Sequence, residues 1–122
     1  MVKINSYKDL IVWQRSMQLV ENIYKITEKF PKEEIYGLTA QMRRSAVSIP
    51  SNIAEGSCRG TRKDYAQFLR MAYGSGAELE TQIEIAKRLL GKQKIDYSDV
   101  DKFLDEVMKM LNSLIKRLTT NI

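Results

Sequence analysis

The segment QMRRSAVSIPSNIAEGSCRG, residues 41–60, decides the fold class of this 122-residue chain. In it and just before it, apolar residues recur every three or four positions, which is the spacing of one face of an α-helix. These residues are Ile35, Leu38, Met42, Ala46, Ile49 and Ile53. Pro50 lies inside the pattern, where it lacks an N–H donor and clashes with the carbonyl of Ala46. We therefore expect a kinked helix.

A second line of residues follows the same helical spacing on a different face and is polar: Gln41, Arg44, Ser48, Asn52, Glu55 and Arg59. A proline kink frees backbone polar groups, and Asn, Gln and Ser side chains can satisfy them. We interpret four of these residues as a structural polar stripe in preference to a ligand-binding one: Gln41, Ser48, Asn52 and Glu55.

Apolar periodicity predicts four helices, over about residues 7–30, 34–57, 61–90 and 98–119, in a single domain of residues 1–122. Ser6 and Ser98 are the expected N-caps of the first and last helices, and the Thr61–Asp64 pair forms a capping-box pattern. Pro31 is expected to end the first helix, because the residue before a proline is pushed out of helical geometry. Long helices with short links predict an all-α, antiparallel up-down-up-down four-helix bundle.

The first predicted helix is apolar over an unusually wide arc. One stripe contains Leu10, Trp13, Met17, Val20 and Tyr24, and a neighbouring stripe contains Val12, Leu19, Ile23, Ile26 and Phe30. Together they cover roughly 200° of the helix, whereas a single core face needs about 100°. We expect the second stripe to be buried against another subunit. The alternative is that this helix lies at the centre of a compact monomer.

The chain contains no histidine and one cysteine, Cys58. The absence of histidine removes the commonest general base and the commonest metal ligand. We therefore expect no catalytic residues, no metal site and no cofactor, and we do not expect an enzyme. A lone cysteine fits a reducing cytoplasm. No apolar run approaches the roughly 20 residues of a membrane span, so we expect a cytoplasmic protein without a membrane partner.

The net charge of +5, from 20 Lys and Arg against 15 Asp and Glu, permits nucleic-acid binding. An even spread of charge along the chain is equally typical of an ordinary soluble surface. The candidate nucleic-acid-binding residues lie in the second helix and in its link to the third: Arg43, Arg44, Arg59, Arg62 and Lys63. At 1.5 Å per residue, the first two lie about 22–30 Å from the others. The alternative is structural, with Arg44 paired to Glu55 or Glu78.

Three stretches carry a family resemblance: DLIVWQRSMQLV at 9–20, FPKEEIYGLTAQMRRSAVSIPSNIAEG at 30–56, and RGTRKDYAQFLRMAYGSGAELETQIEIAKRL at 59–89. The run PSNIAEG is the specific part. With these stretches the chain resembles the bacterial four-helix-bundle family of 23S rRNA intervening-sequence proteins. Gly76 departs from the pattern, because the family more usually has a larger apolar residue there, and we expect looser packing at that position.

The resemblance implies an up-down bundle that associates into a homopentamer, in a family for which no catalytic activity is established. It also implies a genomic setting within ribosomal RNA genes, and relatives that serve as nucleic-acid-binding accessory factors. From residues and resemblance together we expect a non-catalytic homo-oligomer that binds RNA or DNA through its basic residues. The alternative is an oligomeric scaffold or adaptor for a partner protein, with no nucleic-acid role.

Overall fold

The structure is a computed structural model that describes residues 6–120. Over these residues the chain is all-helical, with four α-helices and no strand, as the sequence predicts. The helices are α1 (Ile11–Thr27), α2 (Leu38–Ser57), α3 (Arg62–Leu89) and α4 (Ser98–Thr119). Short 3-10 turns precede α1 at Tyr7–Asp9, α2 at Lys32–Glu34 and α4 at Gly91–Gln93. No helix in the described part is long and apolar enough to cross a membrane.

The four helices pack around one apolar core. α1 contacts α2 and α4, and α3 contacts the same two helices; within residues 6–120 the diagonal pairs do not meet. The largest core side chains come from all four helices and are fully buried: Leu19, Ile23, Met42, Ile49, Ile53, Leu69, Leu79, Val100, Val107 and Leu111. Burying each such side chain contributes about 1.5–3 kcal/mol, so the core dominates the stability of the fold.

Two hydrogen bonds show how α2 and α3 lie against each other. The Ser45 hydroxyl donates to Glu78 Oε1 at 2.7 Å, and the hydroxyls of Ser48 and Ser75 lie 2.9 Å apart. Residue numbers therefore fall along α3 as they rise along α2. Between α3 and α4, Lys87 Nζ lies 2.7 Å from Asp101 Oδ2, which joins the last turn of α3 to the first turn of α4.

The helix boundaries differ from prediction around the first two connections. Leu10 is extended (φ −74°, ψ 127°) and separates the turn capped by Ser6 from α1. α1 ends at Thr27. Just before Pro31, the backbone N–H groups of Lys29 and Phe30 donate to carbonyls three residues earlier, which is the tighter 3-10 pattern. α2 begins at Leu38 and not near residue 34. Ile35, expected in the core, is therefore in the connection and is 53% exposed.

The N-terminal caps of the last two helices give one confirmation and one correction. Thr61 Oγ1 accepts the Asp64 N–H at 3.1 Å, as predicted. Ser98 is the first residue of α4 and not its N-cap. The carboxylate of Asp96 accepts the Ser98 N–H at 2.9 Å instead, because an Asp two residues earlier can bend back onto the chain.

α2 continues through Pro50, which is buried. Two side chains near it bond to backbone carbonyls of the preceding turn. Asn52 Nδ2 donates to the Ser48 carbonyl at 2.8 Å, and Ser51 Oγ donates to the Val47 carbonyl at 2.9 Å. These bonds are of the kind expected beside a proline, and the kink itself stays a prediction.

Packing at Gly76 is tight, so the expectation of looseness there is wrong. The side chain of Met108 from α4 occupies the space in which a Cβ at residue 76 would lie. Gly56 likewise admits Phe68, whose Cβ would lie 2.6 Å from an added Cβ. Gly74, by contrast, faces open space. The missing side chains at Gly56 and Gly76 thus let α3 approach its neighbours closely.

Candidate nucleic-acid interface

The structure divides the five predicted basic residues into two groups. Arg59, Arg62 and Lys63 lie together where α2 connects to α3. Arg43 and Arg44 lie in the first half of α2, about 22–30 Å away at 1.5 Å per residue. The fold therefore brings together only three of the five.

Two of the three residues at the α2–α3 connection are held by neighbouring groups. The Arg59 guanidinium forms an ion pair with Glu55 at 3.0 Å and lies 4.7 Å from the centre of the Phe68 ring. Arg62 Nη2 donates to the backbone carbonyl of Arg117, at the end of α4, at 2.8 Å. Lys63 is exposed and has no hydrogen bond or ion pair within residues 6–120.

The two arginines of α2 have different surroundings. Arg43 is half-buried: its Nε donates to Thr27 Oγ1 at 2.9 Å, and its guanidinium lies 4.4 Å from the centre of the Tyr24 ring. Arg44 is exposed and has no partner in the described part of the chain. Neither expected pairing of Arg44 forms, because Glu55 pairs with Arg59 and Glu78 accepts the Ser45 hydroxyl.

Basic residues that were not predicted from the sequence also lie near this connection. Arg117 lies beside the start of α3, because its backbone carbonyl accepts the Arg62 hydrogen bond, and Lys116 precedes it in the last turn of α4. Burial raises the pKa of the neighbouring Tyr65 hydroxyl, and the positive charge of Arg117 partly opposes that shift. An up-down topology places the end of a fourth helix beside the start of the third, so topology could have predicted this proximity.

The start of α3 is unusually positive for a helix N-terminus. Acidic residues are favoured in the first turn, because the helix dipole is positive there. α3 has Arg62 and Lys63 in this turn, with Asp64 as the single acidic residue. The basic side chains add to the partial charge of the free backbone N–H groups, and such an arrangement attracts anions.

The central residues of the predicted polar stripe form hydrogen bonds that join α2 to α3. Ser48 contacts Ser75, and Asn52 Nδ2 donates to Ser48 Oγ at 3.0 Å. Ser45, which is 2% exposed and was absent from the predicted stripe, extends these contacts to Glu78. Glu55 instead faces Arg59, and Gln41 is exposed.

No three His, Cys, Asp or Glu side chains between residues 6 and 120 come close enough together to hold a metal ion. Cys58 is a free, exposed thiol in the α2–α3 connection.

Fold and surface together define the class: an all-α protein of four helices with a basic connection between α2 and α3. A family model described as 23S rRNA-intervening sequence protein matches residues 8–113, and the chain belongs to this family, as the resemblance predicted. A solved structure from Bacteroides thetaiotaomicron, a protein with unknown function from the S23 ribosomal protein family, is 24% identical. Its TM-score is 0.73, over 87% of this chain and 99% of that one, which shows a common fold. A search of curated proteins finds no match.

Proposed function

We propose that this protein is a non-catalytic, cytoplasmic accessory factor that binds RNA or DNA as a homo-oligomer. The observation that carries the proposal is the basic surface formed by the α2–α3 connection and the end of α4. Its members are Arg59, Arg62, Lys63, Lys116 and Arg117. Clustered Lys and Arg side chains bind phosphates and release counterions, whatever the base sequence. Arg43 and Arg44 form a second basic site on α2, about 22–30 Å from this surface.

The proposed subunit is an antiparallel up-down-up-down bundle with a bend at Pro50. The paired contacts support alternating helix directions: Ser45 with Glu78 between α2 and α3, and Lys87 with Asp101 between α3 and α4. This arrangement supports the binding proposal, because it collects the starts of α1 and α3 and the ends of α2 and α4 at one end of the bundle.

A partly exposed apolar surface supports self-association. It is formed by α1 and α2 and surrounds a groove of about 280 Å³. We call it the α1–α2 apolar surface and define it by Trp13, Met17, Val20, Tyr24 and Val47, of which the last is 41% exposed. The first four belong to the first predicted stripe of helix one. The second stripe, which was expected to face another subunit, is instead buried in the core of this subunit: Val12, Leu19, Ile23, Ile26 and Phe30. The family resemblance favours a pentamer, in which each phosphate-binding cluster would be repeated.

Binding of a labelled RNA duplex, followed by fluorescence anisotropy at increasing salt, tests the nucleic-acid proposal. Each phosphate contact contributes about 0.7–0.9 to the slope of log affinity against log salt. Lys63→Gln is expected to weaken binding and lower the slope by about this amount. Lys102→Gln is the matched control, because Lys102 is an exposed α4 lysine near the opposite end of the bundle. Absence of binding at about 50 mM salt, where such contacts are strongest, would contradict the proposal.

The second candidate function is an oligomeric scaffold or adaptor for a partner protein. The exposed part of the α1–α2 apolar surface favours it, because such patches commonly mark protein contacts. This function predicts tight assembly of the subunits. It also predicts that neither the native protein nor Lys63→Gln binds RNA. The salt titration therefore separates the two candidates.

A further inference from the structure

The basic residues of α2, α3 and their connection fall into two sets. Five have partners in the described chain: Arg43 with Thr27, Arg59 with Glu55, Arg62 with the Arg117 carbonyl, Lys87 with Asp101, and Arg88 with Glu84. Within residues 6–120 the other three have no hydrogen bond or ion pair: Arg44, Lys63 and Arg70. All three are exposed. These are the side chains free to bind an external anion without breaking a contact.

The three free cations are spread along the bundle. Lys63 and Arg70 are seven residues apart, which places them on the same face of α3 and about 10 Å apart along its axis. The Ser45–Glu78 and Ser48–Ser75 pairs fix how α2 lies against α3. Each residue further along α2 lies level with one residue earlier in α3, and by this relation Arg70 lies level with Ile53. Arg44 lies nine residues further along α2, or about 13 Å.

This spacing excludes a small anion as the shared ligand. A single phosphate reaches only groups within hydrogen-bonding distance, about 3 Å, whereas neighbouring free cations are separated by about 10–13 Å along the helix axes. The three charges can act together only on a ligand whose negative charges repeat over about 24 Å. A nucleic-acid strand advances about 3.4 Å per nucleotide, so about seven steps cover that distance.

We infer that nucleic acid binds along the outer side of α2 and α3, with backbone phosphates on Lys63, Arg70 and Arg44, and that full affinity needs about seven nucleotide steps. This inference rests on the proposed function and adds the path and the minimum length of the ligand. It also adds Arg70, which lies outside the basic connection, to the binding residues.

The test compares two RNA hairpins with the same loop and with stems of about 4 and about 12 base pairs, which span about 14 and about 40 Å. The native protein is expected to bind the long stem at least about tenfold more tightly. Arg44→Gln removes the far contact and is expected to lower that ratio about fivefold, the upper end of what one solvent-exposed ion pair contributes. Lys102→Gln is expected to leave the ratio unchanged. DNA hairpins of the same sequence are expected to give the same ratios, because the contacts are to phosphates.

Equal affinity of the native protein for both stems would overturn the inference and leave the proposed function standing. The same holds for an Arg44→Gln ratio equal to the native one, or for a length effect confined to RNA. If neither RNA nor DNA bound at any stem length, the proposed function itself would be overturned. Circular dichroism of Arg44→Gln is expected to match the native spectrum, since this exposed side chain makes no hydrogen bond or ion pair within residues 6–120.

Discussion

Gly74 and Gly76 of α3 lie two residues apart and have opposite surroundings. Gly76 is buried against Met108, whereas an added Cβ at Gly74 would meet no atom within 4 Å. The same residue type therefore has a packing role at one position and none at the other. At Gly74, only the conformational entropy of the unfolded chain is affected by a larger residue.

Alanine substitutions at these glycines are expected to have opposite effects on the free energy of unfolding. Gly74→Ala should stabilise the protein by about 0.5–1 kcal/mol, because alanine loses less backbone entropy on folding. Gly76→Ala should destabilise it by about 1–3 kcal/mol, because Met108 must move out of a packed position. Urea unfolding of both variants measures the difference. Equal effects would mean that Met108 can move aside freely.

The start of α4 shows how a helix terminus is fixed by a residue outside it. The Ser98 hydroxyl and the Ser98 N–H both donate hydrogen bonds to the carboxylate of Asp96, and these bonds, the hydroxyl's first, lower the pKa of Asp96 below its usual range. The Ser98 hydroxyl was the cap predicted from sequence. Because the N–H group is already satisfied by Asp96, this hydroxyl is not needed as a backbone cap.

Asp96→Ala is therefore expected to lower the melting temperature more than Ser98→Ala does, since it removes an acceptor that the helix N-terminus requires. The effect of Asp96 should also disappear in acid: its pKa is lowered on folding, so its contribution is present above pH 3.8 and is lost as the pH falls through the folded value. Thermal unfolding followed by circular dichroism measures both. A larger drop in melting temperature for Ser98→Ala than for Asp96→Ala would mean that Ser98 is the N-cap of α4 after all.

At the scale of elements, helix number and type could be predicted from apolar spacing, because each helix buries one periodic face. The ends of α3 and α4 agree with the pattern, while α1 and α2 start four residues later than expected. The apolar spacing of α2 continues back through Ile35, although that residue lies in the connection between α1 and α2. The positions of Arg70 and Arg117 relative to Lys63 depend on how helices pack, and local sequence carries little information on that.

For the whole molecule, the α1–α2 apolar surface is the feature with the largest consequence. Met17 is 37% exposed and Tyr24 40% exposed, although both belong to an apolar stripe. Buried side chains elsewhere show that the core is complete without them. The area left open supports contact with another subunit.

Met17→Glu is expected to dissociate the proposed oligomer, because it places a charge in an apolar contact. Size-exclusion chromatography with light scattering measures the change in mass. Ile11→Glu is the matched control: Ile11 is a more exposed apolar residue of α1, at 63%, and lies in a groove with α4 outside this surface. A native protein that is monomeric at micromolar concentration would rule out the oligomer.

The bond from Arg62 to the Arg117 carbonyl has a practical consequence for handling the protein. It holds the end of α4 at the basic connection, and Tyr7, before α1, lies in a groove with Ala54 near the same end. A fluorophore, purification tag or chip linkage joined next to residue 6 or residue 120 would thus crowd the proposed nucleic-acid-binding surface. The exposed turn at Gly91–Gln93, at the far end of α3, is the better attachment point.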